Sequence, residues 1–94
     1  MSVYLVAWTP GRESKNHAHA RATFVAHVGR YDHIRDPGLD SVWFVSTNWT
    51  ADQVSGDLRK MVDEDDRIIV VQLYGGSHQG WLAQSVWNWI SVRL

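Results

Sequence analysis

The sequence predicts an α+β fold, a ferredoxin-like sandwich of order βαββαβ with an additional C-terminal segment read as helical. Three observations carry this reading. Short apolar runs rich in β-branched and aromatic residues, Val3 to Trp8, Val42 to Val45 and Ile68 to Leu73, have strand length and strand composition. Two segments between them repeat apolar residues at helical spacing, each behind a capping signal. The chain has 94 residues, room for a single domain, 1–94.

The first strand covers residues 2–8 and ends at Pro10-Gly11. Ser14 or Asn16 then caps a helix over about 17–29, with Ala20, Phe24, His27 and Val28 on its buried stripe. Gly29 ends that helix, and residues 31–34 form a short strand before the turn Asp36-Pro37-Gly38. Residues 41–46 return as the second arm of a hairpin. Thr50 and Gln53 make a capping box for a helix over about 51–62, which buries Val54, Leu58 and Met61. The acidic run Asp63-Glu64-Asp65-Asp66 closes it, and residues 67–74 give the strongest strand. Gly75 to Gly80 breaks the chain before a tail, 81–94, with Leu82, Val86, Trp89 and Ile90 on one side; its β-branched and tryptophan content also fits a strand.

These strands are apolar on both faces, whereas a sheet with one wet face alternates apolar and polar residues. Two helices cover one face. The other requires the tail or a second subunit, and a homodimer through the sheet is the economical expectation. Six tryptophans, Trp8, Trp43, Trp49, Trp81, Trp87 and Trp89, strengthen it, because tryptophan is enriched at interfaces. The expected interface set is Tyr4, Trp8, Trp43, Tyr74, Trp81, Trp87 and Trp89.

Composition excludes several classes. Without cysteine there is no disulfide, thiolate nucleophile or cysteine zinc site. A formal charge of −1 gives no general pull toward phosphate backbones. The apolar runs are too short to cross a bilayer, and no basic-then-apolar leader opens the chain, so a cytoplasmic protein without cofactor is expected.

The segments VYLVAW, LDSVWFVSTNWTADQVSGDLRKMVDEDDRIIVVQL and WNWISVRL resemble the small bacterial SinR-like proteins, which are similar to VapD and to the CRISPR-associated Cas-two family. The block from Leu39 to Leu73 is the most specific part. The resemblance implies a ferredoxin-like homodimer in a CRISPR, toxin–antitoxin or mobile-element setting. Cas-two members credited with metal-dependent nuclease activity carry an aspartate at the end of the first strand, and the matching position here is Thr9. An uncharged side chain deprives a hard cation of its main ligand. Only another carboxylate, Glu13 or Asp32, could substitute for it.

Other constellations have plainer readings. His17 and His19, two apart on a helix, cannot chelate one ion from one face, and His27 belongs to the buried stripe. Gly75 to Gly80 lacks the lysine of a phosphate-binding loop, and no serine has a nucleophile-elbow context. Asp63, Glu64, Asp65 and Asp66 form a possible partner-facing acidic run, opposed to the helix dipole before them. Arg12, Lys15, Arg21, Arg30 and Arg35 make the N-terminal third basic and offer a strip for nucleic-acid backbone. The resulting expectation is a non-catalytic homodimeric interaction protein on a Cas-two-like scaffold. It would bind a protein partner in phage defence, anti-defence or a toxin–antitoxin pair. A nucleic-acid binder and a weak metal-dependent nuclease are the alternatives.

Overall fold

In the computed structural model, which describes residues 1–12 and 15–94, β1 (Ser2–Thr9) is flanked on both sides. β3 (Val42–Thr47) pairs with one edge and β4 (Arg67–Leu73) with the other, while the three-residue β2 (Asp32–Ile34) lies outside β3. The sheet order is β2-β3-β1-β4 and every neighbouring pair is antiparallel. In this register Val6 stands between Trp43 and Val70. Three α-helices accompany the sheet among the described residues: α1 (His17–Val28), α2 (Ala51–Leu58) and α3 (Gln84–Ser91). The chain is thus a small α+β domain on a four-stranded antiparallel sheet.

Local chemistry sets the helix limits. The Asn16 side chain accepts from the His19 amide at 3.0 Å and starts α1; Ser14, the other expected cap, lies outside the described residues. Thr50 and Gln53 form the reciprocal capping box, with bonds of 3.2 and 2.9 Å. After Leu58 the helix tightens into a single 3₁₀ turn, Arg59–Met61, which ends it within a residue of the expected limit.

Each sheet face has its own core. On one, Tyr4, Val6 and Trp8 of β1 and Trp43 and Val45 of β3 meet Phe24 and Val28 of α1 and Val54 and Leu58 of α2. Trp8 stacks on Phe24 with ring centroids 4.3 Å apart, and Phe24 meets Trp43 edge-on at 5.1 Å. Tyr4, Trp8 and Trp43, expected at an interface, are therefore buried inside the chain's own core. Alternation along β1 puts Tyr4 and Trp8 beneath the helix layer, and burying a side chain of that size contributes on the order of 2–3 kcal/mol.

The second face is covered by the tail. Val86 and Ile90 of α3 pack on Phe44, with Leu5, Ile34, Val42, Leu73, Trp87 and Trp89 at the margin. The tail does fold as a helix, over Gln84–Ser91. Asp36 holds its start: one carboxylate oxygen accepts from the Ala83 amide at 2.7 Å and the other from the Gly38 amide at 2.8 Å. Those amides, Ala83 foremost, hold the Asp36 carboxyl below its ordinary range against the opposing effect of burial. At the far end the Arg93 guanidinium lies 4.1 Å over the Trp89 ring and donates to Asp32 at 2.9 Å.

Candidate interaction surface

α3 reaches across β3 and β1 but leaves the β4 side of the second face open. Strand alternation turns Ile68 and Val70 toward the helix layer, where they are half-buried, and turns Ile69 and Val71 outward. Ile69 is 58% exposed and Val71 44%. β4 is also the edge of the sheet, so its outer row of amides and carbonyls has no strand partner among the described residues. From Ile68 to Leu73 it carries neither charge nor proline, the usual guards of an open edge.

The connection from β4 to α3 extends this apolar surface. Tyr74 closes a tight turn with Ser77, whose amide donates to the Tyr74 carbonyl at 3.1 Å, and Gly76 adopts the positive φ of 81° that the turn requires. The chain then crosses the second face as a strap over Leu5 and Leu73. His78 stacks on Trp87 at 6.0 Å, and Trp81 projects into solvent, 98% exposed. Beneath the strap an apolar cavity of about 260 Å³ is lined by Leu5, Leu39, Phe44, Leu73, Trp81 and Trp87, among others. Isolated surface apolar residues are ordinary, but Ile69, Val71 and Tyr74 follow one another along β4 and its exit, and Trp81 is exposed further along the strap.

Of the seven aromatic residues expected at an interface, Tyr74 and Trp81 are exposed, Trp87 and Trp89 are half-buried on α3, and Tyr4, Trp8 and Trp43 are internal. Ile69 and Val71 escaped the sequence reading. The absence of any charge from Ile68 to Leu73 was the signal that could have found them.

The acidic run folds back toward the end of β1. Asp66 accepts from the Trp8 indole at 3.2 Å, from the Gly11 amide at 2.8 Å and from the Asp63 amide at 3.2 Å. Gly11 passes so close to Asp65 that a Cβ there would lie 2.3 Å from its carboxyl carbon, so the corner needs glycine. One carboxylate oxygen from each of Asp63, Asp65 and Asp66 falls within 4.8 Å of the others. With three donors on Asp66, the group acts as a staple joining the entry of β4 to the exit of β1. Glu64 remains exposed. Asp32 lies at the opposite end of the sheet from Thr9, since it pairs with Ser46 and Ser46 with Val3. It is bound to Arg93 and cannot supply the carboxylate missing beside Thr9. Glu13 lies outside the described residues.

The basic residues divide into separate settings. Arg21 and Arg35 both approach the Trp43 ring, at 5.5 and 5.8 Å from its centroid, and Arg35 also pairs with Asp40 at 3.1 Å. Arg30 is tied to Asp57 on α2, where Tyr31 also donates. Arg12 lines an open depression with Thr9, Asp65 and Arg67, and Lys15 is exposed. Three of the five thus face a carboxylate or a ring of their own chain.

No protein-family model, no curated protein and no solved structure matches the chain. None of the described helices is long and apolar enough to cross a membrane.

Proposed function

We propose that the chain is a non-catalytic interaction module on a ferredoxin-like scaffold similar to the Cas-two family, that it pairs with a second copy through β4, and that it presents the strap to a protein partner. The order β2-β3-β1-β4 supports the scaffold assignment, because β1 then lies between β3 and β4, the two strands that α2 connects, and β3 between β1 and β2. The observation that carries the function is the uncharged, outward-facing pair Ile69 and Val71 on an open edge. Antiparallel pairing of two β4 strands about Val70 would set Ile69 of each copy beside Val71 of the other. That register joins two four-stranded sheets and removes four apolar side chains from water. A charge of only −1 per copy opposes such pairing little. The non-catalytic reading rests on Thr9 and on the commitment of Asp66 to the Trp8 indole and the Gly11 amide. A phage-defence, anti-defence or toxin–antitoxin setting follows from the sequence resemblance alone.

Sedimentation velocity at micromolar concentration tests the pairing. The unaltered protein is expected to sediment as a dimer, and the Ile69→Lys/Val71→Lys variant as a folded monomer with an unchanged circular dichroism spectrum. A monomeric unaltered protein, or a variant that still dimerises, overturns the reading. Incubation of labelled RNA and DNA with magnesium or manganese is expected to leave both intact.

A further inference from the structure

The junction of α1 and α2 holds a polar cluster that the interaction surface does not use. Asp57, on the inner side of α2, is only 8% exposed. One of its carboxylate oxygens, Oδ2, accepts from the Tyr31 hydroxyl at 2.6 Å and from the Arg30 guanidinium. The imidazole of His27, near the end of α1 and largely buried, points the same way. Its Nε2 is 3.1 Å from the Asp57 carbonyl, 3.4 Å from Asp57 Oδ1 and 2.7 Å from Arg30 Nη2.

Counting protons along these contacts shows a conflict. Arginine keeps its protons at any ordinary pH. Two nitrogens 2.7 Å apart share one hydrogen, so Nε2 must accept from Arg30 with a bare lone pair, and the neutral ring carries its proton on Nδ1. That lone pair then confronts two oxygens of Asp57 with no hydrogen between them. A hydrogen on Nε2 would satisfy those oxygens, but it would be driven into the Arg30 N–H. One carboxylate therefore has two cationic suitors and room for one beside Tyr31.

We propose that His27 and Arg30 compete for Asp57, so that protonation of the imidazole transfers Asp57 to His27 and releases the Arg30 guanidinium to solvent beside Trp49. Two arrangements of the protons are open to the cluster. In the first, neutral His27 accepts from Arg30 while Arg30 and Tyr31 donate to Asp57. In the second, His27 protonated at Nε2 donates to Asp57, Tyr31 stays in place, and Arg30 withdraws. Arg30 is the group free to leave, because its side chain is half-exposed whereas His27 and Asp57 are enclosed. The 3₁₀ turn that packs on α1 carries the cations Arg59 and Lys60, and positive charge there disfavours holding both an imidazolium and the Arg30 guanidinium on one carboxylate. Thr47, Trp49, Arg30, Tyr31 and Asp57 line a cavity of about 220 Å³, and Trp49 is exposed at its rim. Acid thus uncovers a free arginine next to an accessible indole, a pair suited to an anionic planar group.

Nitrogen-15 NMR on the intact chain tests the exchange. At neutral pH His27 should be the Nδ1–H tautomer. As pH is lowered from neutral, the Arg30 Nε–H resonance should shift together with the His27 ring nitrogens, and its exchange with water should rise about tenfold. In His27→Gln the Arg30 resonance should not respond to pH over that range. In Arg30→Gln, which removes the competitor and leaves the imidazole, His27 should switch to the Nε2–H tautomer at neutral pH. An Arg30 signal that stays fixed while His27 titrates overturns the proposal. So does an Nε2–H tautomer in the unaltered protein, or an unchanged tautomer in Arg30→Gln.

Discussion

Trp8 and Trp81 are the same residue type with opposite surroundings. Trp8 packs against Phe24 and Trp43 with its indole N–H on Asp66, whereas Trp81 stands in water at the rim of the strap. Truncating the first leaves a cavity in a packed core and removes one of the three donors to Asp66. Trp8→Ala is therefore expected to lower the unfolding free energy by about 3–5 kcal/mol, measured by urea denaturation. Trp81→Ala should leave that free energy within about 0.5 kcal/mol while weakening capture of a partner. The sequence could not assign these fates. Period-two alternation groups Tyr4, Val6 and Trp8 on one face and Val3, Leu5 and Ala7 on the other, yet both groups are apolar, so the pattern does not say which face receives the helices. The size and number of the tryptophans suggested an interface, and helix packing claimed three of the seven aromatic residues assigned to it.

Among the elements, those with their own end signals were legible. Thr50 with Gln53 marks the start of α2, and Asn16 marks α1, because capping depends on residues within one turn. The position of α3 was not, since it depends on contacts distant in sequence: Ala83 to Asp36 and Arg93 to Asp32. α3 brings only Val86 and Ile90 into full burial, and these two polar attachments hold its ends. Asp36→Ala removes the acceptor at the α3 start and in the Asp36 turn together. Amide exchange in α3 is then expected to accelerate roughly tenfold or more while α2 keeps its protection, read residue by residue by NMR. Equal acceleration in both helices would show that α3 opens only with the whole domain.

At the scale of the whole molecule, acid should be felt through carboxylates held ionised by the fold. Burial alone would raise the Asp57 carboxyl, but the Tyr31 and Arg30 hydrogen bonds outweigh it and hold the group low; Asp36 is lowered by its two amides. A depressed folded value contributes stability above the unfolded value, near 3.8, and that contribution disappears as pH falls through the folded value. Melting temperature should therefore fall below about pH 4, and less steeply in Asp57→Asn, by thermal scans at stepped pH. Tyr31 has the opposite sign. Burial foremost, then the bond to Asp57, raises its hydroxyl above the ordinary 10.0, so its contribution is full below that pH and drains away in stronger alkali. The α+β class, the strand sequence and the need to cover a second face were all present in the residue pattern. The division of that face between α3 and open solvent was not, because it depends on how far a ten-residue connection, residues 74–83, carries the tail across the sheet. The two borders of the sheet are unequal: β4 presents seven residues, whereas β2 presents three and has Arg93 fastened alongside at Asp32. Growth by lateral addition thus has one competent terminus per copy. If two such termini met about a twofold axis, as the proposed pairing has it, neither would remain, and the assembly would be capped at two rather than propagate as a fibre.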